Sequence, residues 1–217
     1  MTALRFPRGL YGITPEWDDT PRLIDAVALA AQNGLRALQL RRKTASADAI
    51  AQQARALLPV CHAHGVVLLI NDDWRLALAV GAGGVHIGKD DGDIAQARAA
   101  LGARALIGAS CYNDAALGRT ALAAGVDYIA FGAVYPSSTK PQATHASLAL
   151  ITQMRSHVDA LASPRPAIVA IGGITPLNAP AVVQAGADSL ALIAGLFDAP
   201  DIAAAAAACA HLYPQTG

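Results

Sequence analysis

Ala121-Leu-Ala-Ala-Gly-Val-Asp-Tyr-Ile-Ala-Phe131 passes from helix to strand across a single glycine. The alanines and Leu122 favour helix, and Gly125 stops it in the manner of a helix C-terminus. Tyr128, Ile129 and Phe131 then supply the β-branched and aromatic residues of a buried strand. The same order recurs in Ala30-Ala-Gln-Asn-Gly-Leu-Arg-Ala-Leu38, in Leu78-Ala-Val-Gly-Ala-Gly-Gly-Val-His-Ile87 and in Val182-Val-Gln-Ala-Gly-Ala-Asp-Ser-Leu-Ala-Leu-Ile193. A unit that repeats as helix, glycine, strand is a fold signal and has no chemical meaning by itself.

Followed outward from this stretch, the chain alternates throughout. Apolar runs predict strands over 10–14, 37–43, 66–70, 84–87, 105–109, 128–135, 166–171 and 189–193. Helical spacing and stop signals predict helices over 22–32, 47–64, a short one ending at Val80, then 94–101, 113–124, 148–161, 176–185 and 200–212. Strict alternation implies parallel strands joined by right-handed crossovers. Eight such units in 217 residues match the size of a single-domain (β/α)8 TIM barrel, about 250 residues being typical. A doubly wound open sheet is the alternative. No composition shift or linker divides the chain, so one domain over 1–217 is expected.

Apolar residues make up 54% and charged residues 15%, enough to build one large core. The formal net charge of zero argues against a nucleic-acid footprint or a polybasic membrane surface. No run approaches the roughly 20 apolar residues of a membrane span, and the N-terminus shows no signal-peptide pattern. The cysteines are Cys61, Cys111 and Cys209, three without metal-ligand spacing. They read as reduced thiols of a cytoplasmic protein. A homo-oligomer is possible on these grounds and is not specified by them.

In barrels of this kind the site lies at the C-terminal ends of the strands. Gln39, Arg41 and Lys43 follow the second strand at period-two spacing and so point to one side. Polar side chains there are costly to desolvate unless paired. They read as an anion site, or alternatively as an ion-paired strand exit. The sixth strand breaks at Pro136 into Ser137, Ser138, Thr139 and Lys140, a cluster of hydroxyls with one ammonium that suits an anionic ligand or a solvated loop. Asp72 and Asp91 stand just past successive strands, where their tips could meet around Mg²⁺, which takes one or two carboxylates plus waters and phosphate oxygens. Both positions also suit helix N-caps. Asp73, Asp90 and Asp93 compete for these roles, with Asp93 the plainest cap. Gly172-Gly173 and Ala194-Gly195 follow the seventh and eighth strands, where such barrels often bind phosphate; a tight turn is the plainer reading of the glycines. His86 reads as a packed barrel histidine, and Cys111 as packing, since no base is paired with it.

Tyr11-Gly-Ile-Thr14, Gln39-Leu-Arg-Arg-Lys43, Asn71-Asp72, Gly84-Val-His-Ile-Gly88 with Asp91, Gly108-Ala-Ser110, Phe131-Gly-Ala-Val-Tyr-Pro-Ser-Ser-Thr-Lys140 and Ala170-Ile-Gly-Gly-Ile174 together resemble the thiamine-phosphate synthase family. The resemblance implies a (β/α)8 barrel that couples hydroxymethylpyrimidine pyrophosphate to hydroxyethylthiazole phosphate with Mg²⁺. Pyrophosphate departs first, leaving a pyrimidine-methyl carbocation that the thiazole nitrogen captures. By position it implies Gln39, Arg41, Lys43 and Asn71 as pyrimidine-pyrophosphate ligands and Asp72 and Asp91 as Mg²⁺ ligands. Ser110 resembles the serine near the pyrimidine and Lys140 the pyrophosphate-binding lysine, so that Lys43, Ser110 and Lys140 are the catalytic set. Ser137 and Thr139 resemble the hydroxyl pair facing the thiazole. Gly173 with Ile193 and Ala194 resembles its phosphate site. Departures are Ser137 for the usual threonine, Ala194 where a serine is common, Lys89 for a glutamine beside the metal aspartate, and no glycine near Ala146. Two other readings fit the same barrel: a thiazole tautomerase and a non-catalytic phosphate-ligand binder. A full pyrophosphate and Mg²⁺ set exceeds what either needs.

Overall fold

The computed structural model describes residues 3–136 and 144–213. Eight parallel strands close into a barrel in sequential order. They are β1 (Gly9–Ile13), β2 (Leu35–Leu40), β3 (Val67–Asn71), β4 (Gly84–Ile87), β5 (Leu106–Tyr112), β6 (Tyr128–Phe131), β7 (Ala167–Ile171) and β8 (Ser189–Leu192). Between them run α1 (Thr20–Gln32), α2 (Ala47–Ala63), α3 (Trp74–Val80), α4 (Ile94–Leu101), α5 (Ala115–Ala123), α6 (Leu148–Asp159) and α7 (Ala179–Gln184), and after β8 come α8 (Ala194–Phe197) and α9 (Ile202–Ala210). The expected (β/α)8 barrel is thus the observed one, and β1 pairs with β8 to close it.

Helix starts are marked in the sequence. Asp19, Ser46, Asp73, Asp93, Asp114, Ser147 and Asp201 each accept a backbone N–H of the first turn through the side chain. Each satisfies a donor that the helix leaves unpaired. This settles the competition among the aspartates: Asp73 and Asp93 are caps, and Asp72 and Asp91 are not.

Two apolar clusters hold the barrel. The larger fills the space between strands and helices, with Leu23, Val27, Leu38, Leu57, Ile107, Ile129 and Ile168 fully buried. The smaller lies inside the barrel, where Phe6, Tyr11, Leu69, Tyr128 and Val169 meet. The Phe6 and Tyr128 rings lie 4.2 Å apart by centroid, and Tyr11 meets Tyr128 edge to face. Gly108 makes room for this plug, because a Cβ there would stand 1.9 Å from Cζ of Tyr128.

The repeated Gly-x-Asp before β6 and β8 has a common structural use. Asp127 accepts from the Ile107 N–H at 2.8 Å and pairs with Arg98 at 2.6 Å. Asp188 accepts from the Ile168 N–H at 3.0 Å and pairs with Arg155 at 2.7 Å and Arg165 at 2.9 Å. In both halves a buried carboxylate, neutralised by guanidinium groups, ties one strand's start to its neighbour's, away from the active face.

The sequence-based boundaries differ at the active face. β2 ends at Leu40 and not at 43, because Thr14 clasps the exit: its hydroxyl accepts from the Arg41 N–H at 2.9 Å. β5 runs on to Tyr112 through a register shift against β6. β6 stops at Phe131. α7 begins at Ala179 instead of 176, since the Asn178 side chain accepts from the Thr175 N–H and donates to the Gly173 carbonyl, closing a turn. The four-residue α8 was not expected; it is too short to show a period.

Candidate active site

Inside the mouth of the barrel one cavity is lined by Gln39, Arg41, Lys43, Asn71, Asp72, Asp91 and Ser110, with Tyr11, His86 and Tyr112. Every site residue expected from strands two to five is therefore gathered on one wall. Gln39 is 2% exposed, while the Lys43 side chain is 51% exposed. The period-two reading holds beyond the end of β2: Arg41 and Lys43 reach the cavity, and Arg42 turns away. Arg42 is buried among the Trp17 carbonyl, the Gln53 side chain, Asp18 and Glu16. The same segment thus turns an ion-paired face, Arg42, away from the cavity and a cationic face, Arg41 and Lys43, toward it.

Glu16, after β1, was missed by sequence reasoning. It accepts from the Lys43 N–H at 2.7 Å and from the Thr44 hydroxyl at 3.1 Å, and lies 3.8 Å from Arg41. Desolvation pushes its carboxyl up, but these donors and Arg42 outweigh it and hold Glu16 below the ordinary carboxylate range. The cationic loop is thus shaped by an anion behind it. No local motif marks such a residue, since its partners lie 25 to 28 positions away.

Asp72 is held with φ +66°, a left-handed conformation that non-glycine residues adopt sparingly and that clusters at functional sites. Its N–H donates to the His86 carbonyl at 2.7 Å, its carboxylate accepts from the Asn71 amide, and Lys43 Nζ stands 3.5 Å away. Asp91 reaches the same point from beyond β4, close enough to hydrogen-bond Asp72. Desolvation and then the Asp72 charge raise the Asp91 carboxyl above its usual range, against the opposing pull of Lys43 and His86. Two carboxylates forced together favour an added cation. Among the described residues no group of three or more His, Cys, Asp or Glu forms a metal cage. A pair of carboxylates at the edge of a cationic cavity fits Mg²⁺ shared with phosphate oxygens.

A second cleft adjoins the first. Gly172, Gly173 and Thr175 face Ile193, Ala194 and Gly195 across it, so the expected phosphate residues Gly173, Ile193 and Ala194 are brought together. Both glycines of the pair have positive φ, +99° and +63°, so the turn reading is also correct. Ser137, Thr139 and Lys140 lie outside the described residues. Asp90 and Lys89 are exposed and do not line the cavity. Cys111 is packing: it is buried against the helices, and burial pushes its thiol up to about 12.

His86 is the packed histidine expected, yet it is also part of something larger. Gln39 Nε2 donates to the Tyr11 hydroxyl at 2.7 Å, Tyr11 and Tyr128 share a bond of 2.8 Å, Tyr128 and His86 Nδ1 one of 2.8 Å, and His86 Nε2 and Ser110 Oγ another of 2.8 Å. Tyr11 and Tyr128 were not among the expected site residues.

A parallel barrel with a cationic cavity, a carboxylate pair and a glycine-lined cleft at the C-terminal ends of its strands defines an enzyme that handles phosphorylated substrates. Residues 10–196 match the family model described as thiamine monophosphate synthase. The thiamine-phosphate synthase of Bordetella pertussis is 61% identical over 213 residues, covering 98% of each chain. That of Chromobacterium violaceum is 53% identical, covering 93% of this chain and 94% of its own. The thiamine phosphate pyrophosphorylase structure from Pyrococcus furiosus superposes with a TM-score of 0.81 at 28% identity, covering 96% of each chain. The chain belongs to the thiamine monophosphate synthase family.

Proposed function

We propose that this chain joins hydroxymethylpyrimidine pyrophosphate to hydroxyethylthiazole phosphate, forming thiamine phosphate and releasing pyrophosphate. The observation that carries the reading is the convergence of Arg41, Lys43, Asn71, Asp72, Asp91 and Ser110 on one cavity wall in a member of this family. In this reading the C–O bond to the pyrophosphate breaks first, its electron pair leaving with the oxygen. The lone pair of the thiazole nitrogen then forms the new C–N bond.

Arg41 and Lys43 bind the pyrophosphate and stabilise the charge that develops on it. The resemblance adds Lys140 as a further pyrophosphate ligand and Ser137 and Thr139 as thiazole contacts. Asn71 orients Asp72. Gln39 and Ser110 hold the pyrimidine, and Gly173, Ile193 and Ala194 receive the thiazole phosphate. Asp72 and Asp91 would hold Mg²⁺, which supplies Lewis-acid stabilisation of the leaving group when bound. The buried aromatic floor keeps water from the cation. Holding both substrates in line supplies much of the remaining rate.

A thiazole tautomerase would have no use for the cation and carboxylate wall, and the names of the relatives above support the synthase. Unpaired, buried Cys61, Cys111 and Cys209 suit the reducing cytoplasm, where we place the reaction; among the described residues no helix is long and apolar enough to cross a membrane. The test is purified protein with both substrates and Mg²⁺. Stoichiometric pyrophosphate and thiamine phosphate are expected, and absence of any coupled product across a Mg²⁺ titration overturns the reading.

A further inference from the structure

The hydrogen-bonded row Gln39, Tyr11, Tyr128, His86, Ser110 crosses the barrel interior from β2 to β5 through four contacts of 2.7 to 2.8 Å. Its direction follows from counting protons. The Gln39 amide nitrogen is a donor only, so the Tyr11 oxygen accepts from it. Tyr11 has one hydroxyl proton, is fully buried, and has the Tyr128 oxygen as its remaining partner in the row. Tyr128 therefore accepts from Tyr11 and spends its own proton on His86 Nδ1. With Nδ1 accepting, the ring proton sits on Nε2 and is donated to Ser110 Oγ. Ser110 is then left with its own hydroxyl proton, and it lines the ligand cavity.

We propose that this row locks His86 in the Nε2–H tautomer and so makes Ser110 a hydrogen-bond donor to the substrate. Tyr11 and Tyr128 are positioning residues that act through His86, and Gln39 is the end that sets the polarity. Gln39 also lines the ligand cavity, at the other end of the row from Ser110. The Ser110 end of the row thus presents a donor, the complement of the lone pair on a ring nitrogen. The inference rests on the pyrimidine reading of the site for its ligand, but its geometry does not depend on turnover. Burial favours such a row, since a broken link would leave a polar group without water to replace its partner.

The test has two arms. The first is ¹⁵N NMR of histidine-labelled full-length protein, with the His86 signals assigned by their loss in His86→Gln. A bare, pyridine-type Nδ1 and a protonated Nε2 are expected at neutral pH. Tyr11→Phe, which touches neither His86 nor Ser110, should yield a mixture of tautomers. A proton on Nδ1 in the wild type, or a tautomer unmoved by Tyr11→Phe, overturns the proposal. The second arm is a double-mutant cycle on kcat. Tyr128→Phe keeps the ring packing and should cost about tenfold, the scale of one hydrogen bond. In a Ser110→Ala background it should cost almost nothing, because its route to the substrate is gone. Independent losses in the two backgrounds overturn the relay. If the protein makes no thiamine phosphate at all, the function proposed above fails while the tautomer measurement still decides this one.

Discussion

Replacing Asp91 with Asn separates a ligand-binding carboxylate from a structural one. Asp91 is exposed and caps no helix; that role in the same loop belongs to Asp93, whose side chain accepts from the Ala95 and Gln96 N–H groups. Desolvation and then the Asp72 charge raise the Asp91 carboxyl, so removing its own charge costs the unliganded protein no net stabilising interaction. The unliganded variant should lie within about 0.5 kcal/mol of the wild type. Ligand binding should behave differently. Mg²⁺ with pyrophosphate at about 100 times its Kd stabilises the wild type by about 2.7 kcal/mol, or roughly 5–11 °C in Tm for a chain of this size. Asp91→Asn should lose most of that rise, and its kcat/KM should fall by at least about 10²-fold as the charge stabilisation at the leaving group is weakened. Asp93→Ala is the control: it should lower the unliganded Tm by about 2–4 °C for a lost cap of about 1 kcal/mol and keep both the ligand-driven rise and the turnover. Scanning calorimetry with and without Mg²⁺-pyrophosphate reads all of these. An Asp91→Asn protein that keeps the full rise, or that loses as much unliganded stability as Asp93→Ala, would refute the assignment of Asp91 to the metal.

Glu16→Gln removes the anion behind the cationic loop and should raise KM for the pyrimidine pyrophosphate about tenfold, the effect of one lost positioning hydrogen bond, while KM for the thiazole phosphate stays put in initial-rate kinetics. Gly173→Ala places a Cβ 2.3 Å from the Pro136 carbonyl oxygen at a residue with φ +63°, so it should cost about 1–3 kcal/mol in a urea titration and weaken thiazole phosphate more than pyrimidine pyrophosphate. Asp188→Asn leaves buried Arg165 and Arg155 facing a neutral group and should cost about 3–5 kcal/mol. Desolvation raises the Asp188 carboxyl, but Arg165, the Ile168 N–H and Arg155 outweigh it and hold it below its ordinary value. Its contribution is therefore present above the unfolded pKa of about 3.9 and is lost as pH falls through the lower folded value. The gap between wild type and Asp188→Asn in urea midpoint should narrow from pH 6 to pH 3.

Much of this protein is legible along the chain because its information is local. The glycine after each helix and the apolar run of each strand announce the alternation, and alternation with right-handed crossovers leaves few folds for a chain of 217 residues. The period of two puts Gln39, Arg41 and Lys43 on one side of the chain at and just beyond the end of β2. The motif order was specific enough to point to the family. What the chain could not decide were choices between neighbours. Asp72 or Asp73, and Asp91 or Asp93, differ by one or two positions; each pair holds one cap, and although Asp93 is the plainer candidate in sequence, spacing does not prove which residue takes the role. Only the local backbone shows which: Asp72 turns inward at φ +66°, while Asp73 and Asp93 meet their helix N-termini.

The same holds, over longer distances, for Glu16 and for the row from Gln39 to Ser110. Glu16 earns its role from partners brought alongside by the pairing of β1 with β2. Tyr11 and Tyr128 are 117 residues apart and look in sequence like ordinary core aromatics. They face one another only because the barrel closes and points alternate residues of every strand at a common axis. Sequence periodicity determines which face a side chain takes; closure determines whom it meets there, and that meeting turns core tyrosines into a hydrogen-bonded path to Ser110.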